Sequence, residues 1–173
     1  QGGGAVFMHG WNHYMEIANT RIYGNHGTLT GGINLGNGET PPLFQNDGTI
    51  CNAGITPAPL CPPFGNASLI GAGTPATNGT IPFQLNVKTH LHHNMVINNA
   101  SIGDALFSGT PSGAGGITIS AGGDNYEINH NWVAGNLSTG DGGGMQHAGV
   151  TFNGRIHNNW ILFNQTTNPT LPT

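Results

Sequence analysis

Basic residues are almost missing from this chain: Arg21, Lys88 and Arg155 are the only three among 173 residues. Binding to a polyanion releases counterions in proportion to the cations presented, so a nucleic-acid or anionic-membrane surface is excluded as the main role. Charged residues of both signs reach only 6%, whereas unfolded chains are normally rich in charge, so intrinsic disorder is not the expectation. No apolar run approaches the roughly 20 residues of a membrane-spanning helix. No segment combines helix caps with a 3.6-residue apolar period. Cysteine is limited to Cys51 and Cys61, in a Pro- and Gly-rich stretch. Their spacing fits no complete zinc motif. It predicts a local disulfide formed in an oxidising compartment, with two buried free thiols as the alternative.

Glycine, in contrast, is abundant, with 30 residues, and asparagine is frequent. Both reach left-handed backbone conformations, so many tight corners are expected. No Gly-X-Y period is present, which excludes collagen. The glycines carry a repeat. Gly pairs stand at Gly3-Gly4, Gly31-Gly32, Gly115-Gly116 and Gly143-Gly144. Twenty-eight residues separate the first pair from the second and the third from the fourth. The longer middle interval is explained by an insertion over 39–83, which holds most of the prolines and is expected as an outer loop. The unit running from Gly115 to Gly144 is the clearest copy.

The second halves of the units align without gaps: MEIANTRIYGN from Met15, THLHHNMVINN from Thr89, YEINHNWVAGN from Tyr126 and GRIHNNWILFN from Gly154. Two apolar columns result, Ile17, Leu91, Ile128, Ile156 and Ile22, Val96, Val133, Ile161. Asn25, Asn99, Asn136 and Asn164 form an all-Asn column, predicted to hydrogen-bond from one repeat to the next at left-handed corners. Thr20, Asn94, Asn131 and Asn159 form a second, nearly all-Asn column. After the Gly pairs, Ala5, Ile33, Ile117 and Met145, then Phe7, Leu35, Ile119 and His147, should point inward. Val6, Asn34, Thr118 and Gln146 should face out, by the two-residue period of a strand. This pattern predicts an all-β chain: one domain over 1–173, a right-handed parallel β-helix, or solenoid, of about four coils with one long inserted loop. Right-handedness follows from the crossover rule.

Residues 31–39 (GGINLGNGE), 112–119 (SGAGGITI), 135–144 (GNLSTGDGGG) and 161–170 (ILFNQTTNPT) resemble the β-helix repeat region of very large secreted bacterial surface proteins, some described as multicopper-oxidase-like. The resemblance covers nearly the whole chain, including a Cys pair in the long insertion. It implies a stalk or surface module, extracellular or on the cell surface. It does not carry copper chemistry here: His90-Leu91-His92 supplies a His-x-His, and the partner His-Cys-His motif is absent.

Three functions are open on these residues. The leading one is a non-enzymatic structural or adhesive segment of a longer chain, whose uncapped ends pair with further coils of the same or a copied chain, end to end, up to a fibre. The second is a carbohydrate-binding or carbohydrate-cleaving β-helix. Trp132 and Trp160 share a column and would form its glycan platform, a stabilising ladder being the plainer role. Glycan cleavage calls for carboxylates on one outward face, and Asp104, Asp124 and Asp141 sit instead at corners. The third is a metal-binding accessory module. His90 and His92 fall on one outward face and, with a loop donor, would take Cu or Zn; the alternative is polar filling of columns otherwise held by Asn. His9 and His13 carry little signal outside a helix. Glu16, His90, Glu127 and Arg155 form one outward column, with the last two as an expected ion pair.

Overall fold

A computed structural model describes residues 4–8, 12–35, 43–44, 50–51, 86–103, 112–120, 123–147, 151 and 153–167. Most of the 39–83 insertion, Cys61 and the Cys51 side chain lie outside them, as do His9, Asp104 and the side chain of Asp124. Among the described residues there are strands and no helix, hence none long and apolar enough to cross a membrane.

The first pass of the chain contains β1 (Val6–Met8), β2 (Glu16–Ala18), β3 (Arg21–Tyr23) and β4 (His26–Gly27). The second contains β5 (Ile33–Leu35), a short antiparallel pair β6 (Leu43–Phe44) and β7 (Ile50–Cys51), then β8 (Asn86–Val87), β9 (His90–His92), β10 (Met95–Ile97) and β11 (Ala100–Ser101). The third contains β12 (Ile117–Ile119), β13 (Gly123–Asp124), β14 (Glu127–Asn129), β15 (Trp132–Ala134) and β16 (Leu137–Ser138). The fourth contains β17 (Met145–His147), β18 (Arg155–His157), β19 (Trp160–Leu162) and β20 (Gln165–Thr166).

Each pass adds one parallel strand to each of four sheets, ordered β1-β5-β12-β17, β2-β9-β14-β18, β3-β10-β15-β19 and β4-β11-β16-β20. β8 and β13 form a smaller parallel pair. The registers are those of the gapless alignment: Glu16, His90, Glu127 and Arg155 lie side by side, as do Arg21, Met95, Trp132 and Trp160. In the sheets β2-β9-β14-β18 and β3-β10-β15-β19 the middle residue of each strand points in, whereas in β5 and β12 it is the first and third residues that do, as alternation allows. Leu91, Val96, Ile128 and Val133 are fully buried and join Ile33, Leu35, Ile117 and Ile119 in one core.

The corners recur every five residues. Tyr14, Asn19 and Gly24 have positive φ in the first pass, Lys88, His93 and Asn98 in the second, Asn125, His130 and Gly135 in the third, Asn153, Asn158 and Phe163 in the fourth. The left-handed residue is therefore the one before each ladder Asn, not the ladder Asn itself as the sequence pattern predicted. The preceding residue turns the backbone, and the Asn side chain fills the inside of the turn. Asn136 illustrates the result. Its Oδ1 accepts from Asn99 N–H and Asn99 Nδ2, both at 3.0 Å. Its Nδ2 donates to the Val96 carbonyl and to Asn164 Oδ1, both at 2.9 Å. Every hydrogen-bonding site of the carboxamide is used. Asn131 is bound in the same way to Asn94, Leu91 and Asn159.

Two expectations fail in the first sheet. Val6 and Met8, not Ala5 and Phe7, pair with Ile33 and Leu35, and Met8 is buried while Phe7 is exposed. Matching Gly3-Gly4 to Gly31-Gly32 set the first strand one residue out, which exchanges its two faces. Asn34 and Thr118 are also buried. Neighbouring chain covers them: Thr118 Oγ1 accepts from Ala114 N–H, before β12, at 2.8 Å, and Asn34 Oδ1 accepts from Thr30 Oγ1, before β5, at 3.5 Å and from Ser120 Oγ, just after β12, at 3.4 Å. The Gly pairs have a steric cause. A Cβ on Gly32 or Gly116 would strike the carbonyl of Gly116 or Gly144 in the next pass.

Candidate functional site

The outer face of the sheet β2-β9-β14-β18 gathers most of the chain's histidines and two glutamates, Glu16 of the edge strand β2 and Glu127 of β14. The inward middle residue of each strand leaves its neighbours outward, so three columns run across the sheet. The first is Glu16, His90, Glu127, Arg155; the second is Ala18, His92, Asn129, His157. The third is the left-handed corner itself, Asn19, His93, His130, Asn158. Asn and His tolerate that conformation better than most residues do.

Side chains of the three columns connect. His92 Nε2 lies 2.7 Å from Glu16 Oε1, and His92 Nδ1 lies 2.9 Å from His93 Nδ1. His93 stacks on His130, with centroids 5.0 Å apart and planes 8° from parallel. His130 Nδ1 reaches Asn129 Oδ1 at 3.0 Å. Asn129 Nδ2 donates to Glu127 Oε1 at 3.0 Å and to His90 Nε2 at 3.1 Å. Glu127 Oε1 also meets His157 Nε2 at 2.9 Å. That last contact takes the place of the ion pair expected between Glu127 and Arg155, which are strand neighbours as predicted. The hydrogen bond and charge of His92 hold the Glu16 carboxyl below the usual carboxylate range. The hydrogen bond from His157 does the same for Glu127, against a smaller opposing effect of desolvation.

His90 and His92, the sequence-derived metal pair, share this outward face, and their ring centroids are 4.1 Å apart. The third donor beside them is Glu16 from β2, with one ligand atom from each of the three residues within 4.8 Å of the others. Sequence reasoning expected a loop donor. The signal for Glu16 was present in the alignment, which sets it opposite His90.

Trp132 and Trp160 lie on the next sheet, stacked with centroids 6.1 Å apart and planes at 29°. They are 41% and 63% exposed, open enough to meet a flat apolar ligand face. Asp141 accepts from Gln146 Nε2 at 2.9 Å, a turn contact rather than part of a carboxylate pair. Cys51 and Cys61, the expected disulfide, fall outside the described side chains. No family model matches the chain, and neither does any curated protein or solved structure.

Proposed function

We propose that the chain is a right-handed parallel β-helix of about four coils that acts as a structural, non-enzymatic segment of an extracellular or cell-surface protein, its fourth coil receiving a further coil. One observation carries this reading. Ile128 and Val133 are fully buried in the third pass, whereas their column partners Ile156 and Ile161 are 43% and 46% exposed in the fourth. The same residue types at the same register become core only when another coil lies on them. Beside them β17 to β20 are the outermost strands of their sheets among the described residues, an edge to which a further strand can add. A copy docked there repeats head to tail, and such a contact does not close on itself. The extracellular setting rests on the resemblance to secreted β-helix regions.

Sedimentation velocity over a rising concentration series tests the reading. Elongated oligomers that grow with concentration are expected, and Ile156→Glu with Ile161→Glu should return the chain to a monomer. A wild-type chain that stays monomeric throughout would overturn it. A second reading, glycan binding, is favoured by the exposed Trp132–Trp160 pair. Under that reading, Trp132→Ala with Trp160→Ala abolishes retention on an oligosaccharide array while the circular dichroism spectrum keeps its strand signature.

A further inference from the structure

We propose that Glu16, His90 and His92 form a binding site for a divalent transition cation, Zn²⁺ or Cu²⁺. A carboxylate oxygen and two imidazole nitrogens are the donor set these borderline cations favour. Three protein donors leave a coordination position for water or another small ligand. The donor atoms all lie within 4.8 Å of one another. Metal–ligand bonds of about 2.0–2.2 Å bring donors to a little over 3 Å apart, so side-chain rotation alone closes the set. The backbone needs no movement, because β2 and β9 are hydrogen-bonded neighbours with Glu16 directly opposite His90. Glu16 is exposed and the two imidazoles are half-buried. The site therefore has an entry path and a partly dry floor.

The surroundings also fit. A carboxylate only accepts, so His92 Nε2–H donates to Glu16 Oε1 in the metal-free chain; in the neutral form of His92, its Nδ1 accepts from His93 Nδ1–H. When a cation takes His92 Nε2, that nitrogen gives up its proton. The proton between His92 and His93 then moves to His92 Nδ1, and His93 takes one from water at Nε2. His93 becomes the acceptor behind a metal-bound imidazole, the kind of support that orients ligating histidines. Its stacking on His130 holds the ring in place. His90 Nε2 accepts from Asn129 Nδ2, so it already carries the lone pair a cation needs, in competition with one neutral hydrogen bond.

The test uses the untagged chain, stripped with chelator, titrated with Zn²⁺ by calorimetry and with Co²⁺ by visible absorption. One saturable equivalent and the ligand-field bands of a low-coordinate Co²⁺ site are expected. His90→Ala with His92→Ala should remove both signals. Glu16→Gln should weaken binding at least tenfold. His93→Asn, which keeps a residue suited to the left-handed corner, should weaken it about 10- to 100-fold and shift the Co²⁺ bands. His147→Ala, on another sheet, should change nothing. Circular dichroism on every variant checks that the fold persists. Absence of saturable binding in the wild type, or binding that survives the His90→Ala, His92→Ala replacement in a folded chain, would overturn the assignment.

Discussion

At the corner between β9 and β10, His93 and Asn94 are adjacent in sequence and opposite in fate, as are His130 and Asn131 one pass later. Asn94 and Asn131 are buried, with their carboxamides engaged from pass to pass. His93 and His130 are exposed and stack on each other. One backbone register produces both columns. Inside, an amide that lost its partners would stay unpaired away from water, so the position demands a side chain with both a donor and an acceptor at short reach. Outside, water satisfies whatever the repeat leaves unpaired. The repeat then fixes only spacing, and residue identity is free to serve chemistry.

The contrast breaks most visibly by substitution on its two sides. Asn136→Leu deprives Asn99 N–H, Asn99 Nδ2 and the Val96 carbonyl of a partner. At about 1–3 kcal/mol for each buried group, a domain of ordinary stability, about 5–15 kcal/mol, should lose much or all of its cooperative transition. His130→Asn, one corner away and outside, should shift stability by less than about 1 kcal/mol. Urea denaturation of the two variants measures the difference, and similar losses would mean that inside and outside are not distinct.

A left-handed corner filled by an unsuitable residue sharpens the same point. Phe163 has φ 53° and is 89% exposed, so its side chain contributes little burial to offset backbone strain of about 1–2 kcal/mol. Phe163→Gly should raise the unfolding free energy by about 1 kcal/mol, by thermal or urea melts. Thr20 stands where the ladder otherwise has Asn. Its N–H donates to Asn94 Oδ1 at 3.1 Å, while its hydroxyl turns back to the Ala18 carbonyl. Thr20→Asn supplies the missing side-chain donor and should add about 0.5–1 kcal/mol; no gain would mean the end of the ladder is already satisfied by water.

The smallest effect belongs to the outer carboxylates. Glu16 and Glu127 both have folded-state pKa values below the ordinary carboxylate value, through hydrogen bonds from His92 and His157. Groups shifted in this direction contribute stability that is complete above the unfolded pKa and is lost as pH falls through the folded one. Acidification below about pH 4.5 should therefore erode stability slightly. Glu16→Gln with Glu127→Gln should flatten that part of the curve, and added salt should shrink it because the groups are exposed.

Much of this arrangement was legible in the sequence. Placing Met15, Thr89, Tyr126 and Gly154 in one column was enough to bring Glu16 beside His90, His93 over His130 and Trp132 over Trp160, because a parallel register carries every later residue with it. The run Gly2-Gly3-Gly4-Ala5-Val6-Phe7-Met8 was ambiguous. It has three glycines to match to a pair and no alternation to choose a face. The dipeptides Asn98-Asn99 and Asn158-Asn159 could not show which member turns the chain, since either reaches the left-handed region. The burial of Asn34 and Thr118 depends on neighbouring chain, before β5 and on either side of β12, covering the sheet, a contact that alternation does not encode. The approach of Glu16 to His92, by contrast, follows from register and side-chain length together.

Backbone hydrogen exchange tests most directly whether the Asn columns hold the strands in register. The amides of Asn94, Asn99, Asn131 and Asn136 each donate to an Asn Oδ1 in the next pass, at 2.9–3.0 Å. If the columns lock the passes together, these four should be among the slowest to exchange and should open with one common free energy, that of global unfolding. Exchange at the rate of an unstructured peptide, or four unrelated opening energies, would contradict the account.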